Sequence, residues 1–150
     1  MGRSSLNSWF LRHAWRNQLI SASRTNVLID PTNSAVIGFV SLSATQIQRD
    51  VLLKPDQRNA PDPVPAVLLG QLAVDRRYQC CGHAKSLLVF ALRTSLRMSR
   101  EIGCFGVITH PLDDDVRSFY RRFGFRDLPE DPQRAMIVRM ADLAASGFDD

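Results

Sequence analysis

The stretch RRYQCCGHAKSLL, residues 76–88, sets two adjacent cysteines, a glycine, a histidine and three basic side chains at the start of a helical pattern. Two chemistries use such residues. Thiols and an imidazole can ligate a metal or carry redox chemistry. A helix start also offers unpaired backbone N–H groups and the positive end of the helix dipole, which together hold phosphate. Small residues at Gly82 and Ala84 let a pyrophosphate approach the backbone, and Arg76, Arg77 and Lys85 add positive charge beside it.

The metal reading fits the spacing poorly. Cys80, Cys81, His83, Cys104 and His110 are the soft and imidazole donors at hand, but adjacent cysteines do not match the usual C-x2-4-C pattern and no second pair exists. No metal is expected. A cysteine nucleophile has no visible acid–base partner, and His13 and His110 read as ordinary histidines.

These groups need elements to position them. Residues 67–74 read as a strand with an internal glycine, Gly70. Ala84, Leu87, Leu88, Ala91, Leu92 and Leu96 recur at helical spacing, giving a helix that runs to about Glu101 and stops at Gly103, with Arg93, Arg97 and Arg100 on its outer face. CFGVITH, residues 104–110, is a strand. Asp113 or Asp114 caps a second helix in which Val116, Phe119, Tyr120 and Phe123 share a face, ended by Gly124.

Upstream, apolar spacing over residues 6–20 predicts a helix carrying Arg12 and Arg16. Residues 27–30 and 36–43 form a hairpin around Pro31-Thr32-Asn33-Ser34, with Gly38 marking a bulge. Residues 45–65 hold four prolines and read as a long loop. Residues 125–128 and 135–140 are two last strands around the turn from Pro129 to Pro132, and the acidic tail, about 142–150, is expected to fray. Helices and strands in this order give an α/β (α+β) sheet covered by helices.

A chain of 150 residues with 45% apolar and 23% charged residues suits a single domain, 1–150, with one core. No apolar run approaches the ~18 residues of a membrane span, and three cysteines do not make a disulfide framework. A cytoplasmic protein without membrane contact is expected. Basic residues are 17 Arg and 2 Lys against 15 acids, a net charge of +4, and arginine favours bidentate contacts to phosphate.

The string LAVDRRYQCCGHAKSLL resembles the cofactor motif of the GNAT N-acetyltransferases, a Leu-Ala-Val strand followed by Q/R-x-x-G-x-G/A and a helix. Gln79, Gly82 and Ala84 are the matching residues. LNSWFLRHA at residues 6–14, VPAVLLGQLAVD and FYRRFGF at residues 119–125 are similar in order and spacing to the TacT/AtaT-type toxins of toxin–antitoxin modules, so the resemblance covers nearly the whole chain.

The resemblance implies a GNAT fold, a mixed and mostly antiparallel twisted sheet flanked by helices, here without the usual N-terminal strand. It implies acetyl-CoA as co-substrate, its pantetheine along Leu72, Ala73 and Val74 and its pyrophosphate on Gln79, Cys80, Cys81, Gly82, His83, Ala84 and Lys85. Tyr120 matches the tyrosine that protonates the departing thiolate, although its periodicity equally suits core packing.

The implied acceptor is the α-amine of an aminoacyl-tRNA, whose acetylation stops translation, and the implied partner is a small ribbon-helix-helix antitoxin. Arg93, Arg97 and Arg100, with Arg12, Arg16, Arg121 and Arg122, would meet RNA phosphates. A GNAT enzyme acting on a protein N-terminus or small amine is the second reading. A degenerate member that only binds antitoxin and DNA is the third. A homodimer is among the assemblies left open.

One departure matters. Many GNAT members carry glycine where Cys80 stands, and a left-handed backbone there would cost a cysteine roughly 1–2 kcal/mol.

Overall fold

A computed structural model describes Arg16, Gln18 and residues 20–148. The helix expected over residues 6–20, with Arg12 and His13, falls almost wholly outside them; Arg16 and Gln18 are helical. Among the described residues six strands form one sheet in the order β1-β2-β3-β4-β6-β5. They are β1 (Arg24–Ile29), β2 (Val36–Ile47), β3 (Val64–Val74), β4 (Gly106–Thr109), β5 (Arg126–Asp127) and β6 (Met136–Arg139). The helices are α1 (Lys54–Gln57), α2 (His83–Ser99), α3 (Asp114–Arg121) and α4 (Met140–Ala145). The described residues divide into two compact units, one of those up to Ser43 together with Leu69–Leu92, the other of Ala44–Leu68 and those from Arg93 onward.

In the first unit β1 and β2 form the expected antiparallel hairpin, Val27 facing Phe39 and Leu28 facing Gly38. Asp30 shapes the turn: its Oδ1 accepts from the Thr32 N–H at 2.9 Å and the Thr32 hydroxyl at 2.7 Å. The register shifts at Leu28/Ile29, opposite Gly38, so the glycine does mark a bulge. A Cβ on Gly38 would stand 2.5 Å from the Ala73 carbonyl oxygen, so only glycine lets β2 and β3 pass this close. Leu87, Leu88, Ala91 and Leu92 are the buried stripe of α2 in this unit, at 5% exposure or less. Each buried leucine contributes about 1.5–3 kcal/mol.

In the second unit β4 and β6 are antiparallel, Val107 facing Val138 and Ile108 facing Ile137. Ile47, Leu52, Val64, Ala66, Ile108, Leu128, Ala135 and Ile137 form its core. The Asp113 carboxylate accepts from the Val116 N–H at 2.9 Å and caps α3, and Gly124, at φ +92°, follows its end as expected.

Two expectations are corrected. Residues 45–65 are not a structureless loop: β2 runs on to Ile47, a 3-10 turn covers Arg49–Val51, Pro55 sits in the first turn of α1, and β3 starts at Val64. Pro55 is compatible with its place because a first helical turn has N–H groups to spare. Nor does the chain fray at Asp142. It forms α4, with Leu143 only 1% exposed. Arg139 fastens that helix, pairing with Asp142 at 2.8 Å and with Asp56 of α1 at 3.2 Å.

A candidate acetyl-CoA loop and a buried tyrosine

The first unit brings together every residue from Leu72 to Lys85 that the sequence marked. Leu72, Ala73 and Val74 close β3 and are buried. Asp75 then turns the chain: its N–H donates to the Ile37 carbonyl at 2.7 Å, and its carboxylate accepts from the Arg77 N–H at 2.9 Å. That N–H bond, then the Arg77 guanidinium, holds the Asp75 carboxyl below its ordinary pKa. Arg76–Tyr78 is a 3-10 turn, and the Tyr78 hydroxyl donates to Asp30 Oδ2 at 2.9 Å. The loop is thus anchored to the hairpin turn.

Gln79 faces inward on both counts. Its side-chain amide donates to the Val74 carbonyl at 3.1 Å, tying the loop to the strand end, while its own N–H turns back to Arg76 O at 3.4 Å. Cys80 adopts φ +66° and Gly82 φ +81°. The cysteine therefore does occupy a left-handed position, and the side chain adds strain that glycine would not. A Cβ on Gly82 would meet nothing within 4 Å, so the space above this turn is open.

The first helical bond of α2 runs from the Ser86 N–H to Gly82 O at 3.1 Å. The N–H groups of His83, Ala84 and Lys85 precede it, so no carbonyl of their own helix reaches them. His83 packs edge-on against Tyr78 with ring centroids 6.2 Å apart, and Lys85 is exposed. An open, glycine-floored helix start with free donors suits a pyrophosphate.

Tyr120 belongs to the second unit. It is 3% exposed and packs against Phe119 and Phe125, with ring centroids at 5.4 and 5.1 Å. Burial pushes its pKa up to about 12, opposed by a hydrogen bond with the Thr109 hydroxyl. It is both a core residue and a polar one. Thr109 itself carried no signal in the sequence beyond lying in a strand.

Among the described residues no group of three or more His, Cys, Asp or Glu side chains could hold a metal, and no helix is long and apolar enough to cross a membrane. Cys80 and Cys81 are exposed, Cys104 half-buried. Of the arginines, Arg93, Arg97, Arg100 and Arg122 are exposed, whereas Arg121 is committed to Asp127 at 2.8 Å. Arg117, which the sequence reading passed over, is buried and pairs with the same carboxylate and with the Arg134 carbonyl.

Residues 4–125 match the model of the acetyltransferase (GNAT) family. The chain is similar to a tRNA-acetylating toxin of Mycobacterium tuberculosis (strain ATCC 25618 / H37Rv), 33% identical over 144 residues that cover 96% of this chain and 85% of that one. Its fold matches AtaT complexed with acetyl-methionyl-tRNAfMet, with a TM-score of 0.90 and 26% identity over 97% of this chain and 87% of the other. A tyrosine-to-phenylalanine variant of KacT matches with a TM-score of 0.90 and 24% identity, over 97% and 87% of the two chains. The chain therefore belongs to the GNAT acetyltransferase family and has its fold, a mixed six-stranded open sheet flanked by helices.

Proposed function

We propose that this chain is an acetyl-CoA-dependent N-acetyltransferase whose acceptor is the α-amino group of an aminoacyl-tRNA, and that it acts as a toxin by blocking translation. The observation that carries the cofactor reading is the β3–loop–α2 unit, with Gln79 bracing the strand end and an open, donor-rich helix start at Gly82. The acceptor reading rests on the similarity to a tRNA-acetylating toxin and to AtaT complexed with acetyl-methionyl-tRNAfMet.

The co-substrate supplies an acetyl thioester. Leu72, Ala73 and Val74 would align its pantetheine as a neighbouring strand, and the N–H groups from Cys80 to Lys85 would hold its pyrophosphate. Gln79, expected beside the pyrophosphate, also braces the loop through the Val74 carbonyl. Tyr120 keeps a proton at Oη throughout the working pH range, because burial opposes the phenolate. Against a thiol of pKa about 8.5 in water, complete transfer from such a phenol is uphill. As the family resemblance implies, Tyr120 would be the donor to the departing sulfur, with the Thr109 hydroxyl steadying the phenolate.

No side chain of the described loop supplies a general base. An α-amine near pKa 7.7–8.0 is roughly a tenth neutral at pH 7, against far less than a hundredth for a lysine near 10.4. An α-amine acceptor fits that arrangement. Exposed Arg93, Arg97 and Arg100 would add phosphate contacts and make binding fall with salt.

A relative complexed with an antitoxin, AtaT with the C-terminus of AtaR, shares the fold at 22% identity and a TM-score of 0.82. We infer an antitoxin partner for this chain, of the small ribbon-helix-helix kind that the family resemblance implies. Calorimetry with acetyl-CoA tests the cofactor reading: binding at micromolar concentration supports it, and none at high micromolar concentration favours a degenerate member.

A further inference from the structure

We propose that Cys80 and Cys81 form a thiolation site: an anionic low-molecular-weight disulfide exchanges onto one of these thiols, and its adduct and acetyl-CoA exclude each other. The second half rests on the cofactor reading above.

The two thiols are adjacent and exposed, on the loop that leads into α2, where a Cβ on Gly82 would meet nothing within 4 Å. The third thiol is the contrast. Cys104 is half-buried, and burial pushes its pKa up, so it is a poor nucleophile, whereas Cys81, whose Sγ donates to the Gln79 carbonyl at 3.5 Å, stays exposed. An oxidant of the thiol pool thus meets the loop first.

Charge selects the disulfide. The exposed Arg76, Arg77 and Lys85 lie within five residues of the pair along the chain, with Asp75 offsetting Arg77 at 3.2 Å, and the cysteines precede the positive end of α2. The features that suit a pyrophosphate also suit a carboxylate-bearing disulfide.

The exchange balances without a further reagent. A cysteine thiolate attacks one sulfur of the disulfide, a protein–S–S–R bond forms, the old S–S bond breaks, and the released thiolate takes up the proton the cysteine gave. The protein sulfur is oxidised and the leaving sulfur reduced. Closure of the neighbouring thiol onto the adduct is disfavoured, because adjacent Cα atoms are about 3.8 Å apart while disulfides span about 4.4–6.8 Å. The mixed disulfide is therefore the lasting product, removed by a thiol reductant.

The test uses the reduced full chain with glutathione disulfide as probe, read by intact mass and peptide mapping. The adduct is expected on Cys80 or Cys81 and not on Cys104. Acetyl-CoA at about ten times its Kd should slow the reaction about tenfold, by occupancy alone. The adducted chain should bind acetyl-CoA at least about tenfold more weakly, a loss of about 1.4 kcal/mol, and recover on reduction. Cystamine, a cationic disulfide, should react more slowly at low salt, the gap closing as salt rises.

Labelling spread equally over Cys104, an adduct that leaves acetyl-CoA binding unchanged, or no protection by acetyl-CoA would overturn the proposal. A reduced chain that binds no acetyl-CoA sinks the cofactor reading and the exclusion with it. The labelling arm needs no acetyl-CoA and still decides whether the pair is a reactive site.

Discussion

The side-chain amide of Gln79 donates to the backbone carbonyl of Val74 at 3.1 Å, so the end of β3 and the loop before α2 are held as one piece. A single neutral hydrogen bond contributes about 0.5–1.5 kcal/mol. Gln79→Ala should therefore leave the fold intact and weaken acetyl-CoA binding about three- to tenfold, measured by calorimetry. Gln79→Glu, whose carboxylate cannot donate to that carbonyl, should do no better. Wild-type affinity in both variants would remove the brace from the account.

Tyr120→Phe keeps the aromatic packing against Phe119 and Phe125 and removes only the hydroxyl. Turnover should fall about 10²–10⁴-fold, with acetyl-CoA affinity little changed, as expected for a lost proton donor. A stability readout separates the core role from the chemical one. The folded-state pKa, about 12, lies above the ordinary value of 10, so the native state holds a proton that the unfolded chain releases. Stability should therefore fall as pH rises from about 10 to 12, by about 2–3 kcal/mol at most. Denaturant titrations over that range should show the fall in the wild type and lose that part of it in Tyr120→Phe.

Cys80 stands at φ +66°, where glycine has no Cβ to strain. Cys80→Gly should raise stability by up to about 1 kcal/mol, a gain read from the urea midpoint. If the cysteine also crowds the pyrophosphate, acetyl-CoA binding should tighten in the same variant. An unchanged midpoint would mean the loop holds this conformation without strain.

Asp127 joins Arg121 at 2.8 Å and the buried Arg117, and these partners hold its carboxyl below the ordinary range, Arg121 contributing most. A depressed carboxyl contributes stability above its unfolded pKa and loses it as pH falls through the folded value. Acid unfolding of the wild type should thus include this group below about pH 4. Asp127→Asn should lower stability at pH 7 and reduce the acid dependence. Equal stability at pH 7 would show that the Arg134 carbonyl, which accepts from Arg117 at 2.9 Å, suffices for the buried guanidinium.

The periodic elements were legible because their physics is local. The Leu87–Leu88–Ala91–Leu92–Leu96 stripe, the Pro31-to-Ser34 turn and the Asp113 cap each declare themselves within a few residues. The strain at Cys80 followed from the family resemblance only on the condition that the position be left-handed, which its φ of +66° meets. What escaped depends on distant partners. α4 is held by Arg139, whose second carboxylate, Asp56, lies 83 positions away, and the proline-rich segment that supplies Asp56 looked like loop for the same reason. Thr109 touches Tyr120 only once β4 and α3 are in place, and nothing in CFGVITH announces it. The inward turn of Gln79 was equally hidden, since a motif residue is as easily read as a ligand contact as a brace.

Transfer from labelled acetyl-CoA to a mixture of charged tRNAs, free amino acids and peptide N-termini tests the central claim most directly. Label on the α-amine of aminoacyl-tRNA, lost with Tyr120→Phe and weakened by salt, is the predicted result. Label on free amines or peptides but never on aminoacyl-tRNA would contradict it.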